Sequence, residues 1–368
     1  MRFSARLRAA TAASTVAAAA SLLAVVAPAA SGATAAPAGR TGPATASREA
    51  TAAGGGHAGA VTVRQQRAVL RYWTRARMEH AVPVGPGDGA AAPLALPSLP
   101  ALPGVTGLTG LTGLLGGLVP PLELLAAPAR HAAGSAHRPQ SGGTAAQWQG
   151  GGAVARATGK IFFTLSGTDY VCSGAAVDGS ADVAVTAAHC VSDGAGNWAT
   201  NWTFVPGYSN GDTPYGSYTA RQFFAASQWT NSADEDYDVA FVALNPASDG
   251  DQAVAATGGL PVAFGSQPAR EYAFGYPSDS PYNGQYLYYC SGPTSPDPYH
   301  QTNDTGLPCG MTEGASGGPW LSGFDPATGE GTVTSVSTFK YDDSSGDMYG
   351  PDFGSTARSL YEQAEGAR

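Results

Sequence analysis

Charged residues are scarce in this 368-residue chain, 13% of it against about 25% in an ordinary globular protein. Aromatics are scarce over the first 145 positions, where only Phe3, Tyr72 and Trp73 occur; the other 31 of 34 lie beyond. A stretch so poor in large apolar side chains does not build a core, which excludes two comparable domains and leaves one folded unit of ordinary size. After the N-terminus no long hydrophobic run survives, because Gly and Pro interrupt the stretch from Leu94 to Ala127, so no later membrane span is expected. Basic charge is scarce where the aromatics are. Residues 1–145 carry 12 Lys+Arg and 4 Asp+Glu, whereas residues 146–368 carry 7 and 24. A unit that acidic repels nucleic acid and anionic lipid, which argues against polyanion binding. Cysteine is limited to Cys172, Cys190, Cys290 and Cys309, with no Cys-x-x-Cys pair, so a structural metal is a weak reading.

What is present begins with Arg2, Arg6 and Arg8 ahead of an Ala/Leu/Val run ending near Val26, followed by small residues at Ala27-Pro28-Ala29 and Ala33-Thr34-Ala35. This pattern predicts a signal peptide over residues 1–35, export, and a compartment that permits disulfides. Residues 36–145 are rich in Gly, Pro, Ala and Thr and read as a low-complexity basic pro-segment, largely disordered. One island differs. From Val63 to Met78, apolar Val63, Ala68, Val69, Tyr72, Trp73 and Ala76 interleave with Arg64, Arg67, Arg71, Arg75 and Arg77. It reads as a basic amphipathic helix that is either transient and solvated or docked on the acidic unit.

Residues 146–368 change texture to short apolar runs bounded by turn residues: Ile161 to Leu165, Val183 to Thr186, Trp202 to Val205, Val239 to Leu244 and Gly331 to Val336. Their spacing predicts an all-β barrel or sandwich. Helical signals are confined to Ala188–Ser192 and the terminal Ser355–Gly366, with Ser355 a possible cap.

Three places carry chemistry. His189 follows an apolar strand in Thr186-Ala187-Ala188-His189-Cys190, and a general base near neutral pH is most easily a histidine. Asp238 runs directly into the strand Val239–Leu244, where a carboxylate drawn toward the core needs a partner; Asp236 is the fallback acid. Gly314-Ala315-Ser316-Gly317-Gly318-Pro319-Trp320 places a serine in a turn tight enough to expose its hydroxyl beside converging backbone N–H groups. Each taken alone is ordinary: a core histidine, a strand cap, a turn. Together, in the order His, Asp, Ser, they are specific. A nucleophile-elbow hydrolase places its histidine after the serine, and none follows Ser316. An Asp-His-Ser order would need His300, which sits in a Pro/Ser/Asp-rich loop.

The three motifs resemble those of secreted bacterial chymotrypsin-like (trypsin-like) serine peptidases over roughly Gly152 to Glu365. The resemblance implies two antiparallel β-barrels with a short C-terminal helix, and peptide-bond hydrolysis in the cleft between barrels. It assigns Ser316 as nucleophile, His189 as base, Asp238 as the group that orients it, and the Gly314 and Ser316 amides as oxyanion hole. It pairs Cys172 with Cys190, and with them Cys290 with Cys309. Gly310 stands where trypsin carries the aspartate that selects basic side chains, so the pocket floor is uncharged; Met311, Thr312, Ser337 and Phe339 complete the expected substrate contacts. Ala315 stands where trypsin has the aspartate that pairs with a newly cut N-terminus. No cofactor or metal is implied. The partners expected are protein or peptide substrates, met by a monomer without stable membrane association, and the reading from another class is an inactive peptidase-like binding protein.

Overall fold

The computed structural model describes residues 56–84, 145–343 and 346–367. The signal peptide expected over 1–35, and the pro-segment apart from 56–84 and Ala145, lie outside the described residues. No helix of the described residues is long and apolar enough to cross a membrane.

The leading elements are β1 (His57–Ala58), α1 (Val63–Tyr72), α2 (Arg75–His80) and β2 (Val82–Pro83). The expected single helix over the Arg-rich island is thus two. Thr62 caps α1 through a capping box with Gln65, and Thr74 caps α2 by accepting the Arg77 amide, which breaks the helix after Trp73. The island is docked on the barrel: Val69 and Trp73 are buried.

The first barrel follows β3 (Ala146–Gln147) and α3 (Gly152–Ala157). Its strands are β4 (Thr158–Leu165), β5 (Thr168–Val177), β6 (Val183–Thr186), β7 (Thr200–Pro206), β8 (Tyr218–Ala225) and β9 (Ala240–Leu244), with α4 (Ser227–Ser232) before β9. The pairing β7-β4-β5-β6-β9 is closed by β8, which bonds both β7 and β9. Every residue of β6 and β9 is buried, because these short strands run through the barrel wall with apolar neighbours on both faces.

The second half begins with α5 (Ala253–Thr257) and contains β10 (Arg270–Gly275), β11 (Tyr288–Pro293), β12 (Ser295–Pro296), β13 (Thr305–Pro308), β14 (Pro319–Asp325), β15 (Glu330–Val336) and β16 (Asp347–Gly350). A five-stranded sheet, β15-β14-β10-β11-β3, and a three-stranded sheet, β12-β13-β16, are joined by the Phe339–Tyr349 bridge. Its core gathers Ala145, Cys290, Leu307, Cys309, Met311, Ala315, Trp320 and Met348.

The chain ends in α6 (Ser355–Gly366), as the sequence suggests. Ser355 does not cap it: Gly354 occupies the cap position without a side-chain bond. Ala357, Leu360 and Ala364 are its buried side. Glu365 reaches back to the Ser180 amide and hydroxyl, closing a turn of the first barrel.

Candidate active site

β6 ends at Thr186, and a 3₁₀ turn, Ala188–Cys190, lifts His189 off the barrel rim. On the neighbouring strand, another 3₁₀ turn, Glu235–Tyr237, delivers Asp238 just before β9. The two strands are paired, Thr186 opposite Ala240, so sheet register sets these two rims side by side. Asp238 Oδ1 accepts the His189 backbone N–H at 2.8 Å, and Asp238 Oδ2 lies 2.7 Å from His189 Nδ1. Both side chains are buried. Against an ionised Asp238, Nδ1 carries the proton and the lone pair falls on Nε2, the tautomer a general base requires. Asp236 is engaged elsewhere, accepting the Asn303 backbone N–H at 2.7 Å.

The serine turn arrives from the second half and is gripped by the first. Ser316 is half-buried, and its carbonyl accepts the Ser173 N–H at 2.8 Å. Cys190 Sγ, one residue from His189, lies 3.8 Å from that same carbonyl oxygen. Gly317 has φ +78°, and a side chain there would run into Thr186 Oγ1 and the Ala187 amide, so glycine lets the turn approach the His189 segment. Gly314 has φ +92° and a carbonyl that accepts Ser173 Oγ at 2.8 Å. Among the described residues, neither the Gly314 nor the Ser316 amide has a backbone or side-chain acceptor. Two unpaired donors in one turn suit an oxyanion.

The residues expected to contact substrate are engaged within the protein, and two of them, Met311 and Ser337, are wholly buried. Ser337 is fully buried: its carbonyl accepts the Gly317 N–H at 2.7 Å, its N–H donates to Gly318 O at 2.9 Å, and its hydroxyl accepts Trp320 Nε1 at 3.0 Å. Phe339 stacks on Tyr349 at 5.1 Å. Gly310 accepts the Tyr282 hydroxyl at 3.0 Å, and Thr312 donates to Asp279 O at 3.0 Å. The Met311 side chain is wholly inside the core. His300 lies on an exposed loop, its N–H bonded to Asp297 O.

Several residues carry no sequence signal. Ser173 is one polar residue in a strand, visible only once β5 meets the serine turn. Lys160, buried in β4, donates to Gly284 O at 2.9 Å, and burial lowers its pKa to about 8. Glu235 is pushed up to about 9, first by burial and then by Asp238, Asp234 and Asp236. Asp304 is raised well above the usual carboxylate range, chiefly by burial. At neutral pH Glu235 is therefore protonated and adds no charge beside Asp238.

Both expected disulfides are formed, Cys172–Cys190 and Cys290–Cys309. Cys172, His189 and Cys190 offer atoms within 4.8 Å of one another, but both sulfurs are spent in the bridge and supply no thiolate for a metal.

A closed six-stranded barrel, a second β unit and a His189–Asp238 pair at the rim approached by the Ser316 turn match the architecture of chymotrypsin-like serine peptidases. A family model for trypsin matches residues 149–353, more than half of the sequence, and the chain belongs to the trypsin family. It is 40% identical to the protease Anisep from Arthrobacter nicotinovorans over 58% of this chain and 96% of that one, with a TM-score of 0.54. It is 33% identical to the thermostable serine protease AL20 from an extremophilic microorganism over 59% of this chain and all of that one, with a TM-score of 0.55. An extracellular metalloprotease of Bacillus subtilis (strain 168) is 35% identical over 85 residues, 23% of this chain; the match spans only 26% of that relative. The chain is a peptidase of the serine class that acts on proteins or peptides.

Proposed function

We propose that this peptidase is an exported monomeric endopeptidase that cleaves through an acyl-enzyme on Ser316, with His189 and Asp238 completing the triad. The observation that carries the reading is the double contact of Asp238 with His189, one oxygen on the backbone N–H and one on Nδ1, beside the Ser316 turn. Ser316 Oγ attacks the scissile carbonyl while His189 Nε2 takes its proton. The Gly314 and Ser316 amides stabilise the oxyanion, and Asp238 holds the tautomer and offsets the charge of the imidazolium. His189 then returns the proton to the leaving amine, and water repeats the sequence in reverse to free the acid. Gly310 puts no carboxylate at the position that selects Lys or Arg in trypsin; in the stretch expected to bind substrate backbone, the Ser337 N–H and carbonyl are both already bonded within the protein, to Gly318 O and the Gly317 N–H.

Export is supported by the N-terminal Arg2, Arg6 and Arg8 with their apolar run, and by two disulfides, which persist in oxidising compartments. Net negative charge over residues 146–368 disfavours nucleic acid as a partner. A metal mechanism, as the name of the Bacillus relative would suggest, does not fit the donors beside His189, whose neighbouring sulfurs form a disulfide.

The test is labelling with a fluorophosphonate, which reacts only with an activated serine. Stoichiometric modification of Ser316, lost in His189→Ala, is the expected result. A correctly folded protein that binds peptides but resists the label would instead be an inactive binding protein on a peptidase scaffold.

A further inference from the structure

Residues 56–84 are built into the first barrel at two separate edges. At one, β1 pairs with β8, the Gly59 and Ala60 amides donate to Arg221 O and Ala220 O at 2.9 and 2.8 Å, and Asn245 Nδ2 donates to Ala60 O at 2.9 Å. At the other, β2 adds a parallel strand to β5, Val82 opposite Tyr170 and Pro83 opposite Val171. Between them Trp73 is buried, its indole N–H donating to Asn201 O and its ring 5.5 Å from Phe162. Asp169 of β5 takes two donors from the segment, Tyr72 Oη at 2.7 Å and Arg77 at 3.1 Å, and Arg77 also lies 4.0 Å over the Tyr72 ring. Without this segment two strand edges and an aromatic pocket of the barrel would stand open, the condition that invites pairing with other chains.

The contacts are as telling in where they stop. Hydrogen bonds and ring contacts of residues 56–84 go to β4, β5, β7, β8 and adjoining loops. Among the described residues none of these reaches His189, Asp238, Ser316 or residues 337–339. A segment that blocked the cleft would touch them.

We propose that residues 56–84 are a strand-donating clasp of the first barrel and not an inhibitor of the site, and that they stay bound as a separate short chain once the connection between residues 85 and 144 is cut. The partner of this surface is the chain's own leading segment, so a chain cut in that connection is a two-chain molecule. Pairing at two edges gives the segment a bivalent hold, and the buried indole with the Asp169 contacts supplies the anchor that such a short chain needs.

The experiment uses the full chain carrying Ser316→Ala, which cannot cut itself, so the result is independent of the peptidase reading. A cleavage site for an unrelated protease is placed between residues 85 and 144, the chain is cut, and the products are followed by gel filtration and mass spectrometry. The fragment holding residues 56–84 is expected to co-elute with residues 145–368 and to separate only in denaturant. Trp73→Ala is expected to weaken retention at least ~30-fold, and the milder Asp169→Asn by a smaller factor. Release of the wild-type fragment on cutting, leaving 145–368 monomeric with an unchanged melting temperature, would overturn the proposal. So would a rise in turnover of about tenfold or more when the same cut is made in the chain with Ser316 intact, since that is the signature of a removed inhibitor.

Discussion

Ser173 Oγ donates to the Gly314 carbonyl at 2.8 Å while accepting the Tyr276 N–H at 2.8 Å. One buried hydroxyl in β5 thereby ties the first barrel to the turn that carries Ser316, and the Ser173 N–H adds a second tie at the Ser316 carbonyl. Ser173→Ala removes the first tie and leaves a buried carbonyl and amide without a partner, a cost of about 1–3 kcal/mol. We expect the variant to fold, with kcat reduced ~10- to 100-fold and KM nearly unchanged, because in the proposed mechanism the Gly314 amide serves the transition state and not the bound substrate. Steady-state kinetics with a peptide substrate decide it; an unaltered kcat would mean that the turn is positioned without Ser173.

The choice between the two acids is sharper. Asp238→Asn keeps the shape of the site and offers Nδ1 a donor where it needs an acceptor, so kcat should fall ~10⁴-fold at neutral pH. Asp236→Asn disturbs a contact with the Asn303 amide and should stay within ~10-fold of wild type. Near-wild-type turnover in Asp238→Asn together with a collapse in Asp236→Asn would reverse the assignment.

This distinction shows how much of the site the sequence carries. Tyr237-Asp238-Val239 and the glycines around Ser316 are local patterns, fixed by how a strand begins and how a turn closes, and the structure places them at one rim. The six-stranded barrel is legible for a similar reason: its strands are short apolar runs between turn residues. Ser173, Lys160 and Asp304 are silent because their importance comes from residues more than a hundred, or about seventy, positions away. The Arg-rich island gives only half its meaning: helical periodicity is local, whereas the pocket that takes Trp73 is assembled from β4 and from β7 at Asn201. Ser355 is a misreading of one residue, since the cap position falls on Gly354.

Stability should depend on pH through Glu271. It is buried, its Oε1 accepts Thr334 Oγ1 at 2.6 Å, Oε2 has no partner, and burial pushes its pKa up to about 7. Between the ordinary glutamate value of about 4.5 and about 7 the folded state holds this proton more tightly than the unfolded chain does. Its contribution is therefore complete below about 4.5 and is lost as pH rises through about 7. Glu271→Gln mimics the neutral form and should stabilise the protein at pH 8 by on the order of 2–3 kcal/mol while changing little at pH 4.5. Glu235 acts in the same direction up to about 9, so a shallower slope remains in the variant. Denaturant melts at the two pH values provide the measurement, and an equal effect of Glu271→Gln at both would remove Glu271 as the titrating group.

The last expectation concerns the start of the peptidase unit. Where trypsin pairs a new N-terminal ammonium with an aspartate, this chain has Ala315, fully buried in an apolar cluster with Met311 and Cys309. An ammonium driven in there would have no counter-charge and would cost several kcal/mol. The residues that precede α3 are held differently. The Ala145 N–H donates to Tyr282 Oη at 3.1 Å, and Ala146 and Gln147 pair with Tyr289 and Tyr288. Trp148 packs edge-on against Phe274, Tyr289 and Phe324. What this segment offers is strand pairing and an aromatic plug, both indifferent to charge at the terminus. Proteins beginning at different residues up to Ala145 should therefore turn over substrate at comparable rates, before and after acetylation of the amine. Those beginning after Trp148 should lose melting temperature, because an aromatic anchor is gone. Activity confined to a single start and abolished by acetylation would show that a terminal ammonium orders the site after all.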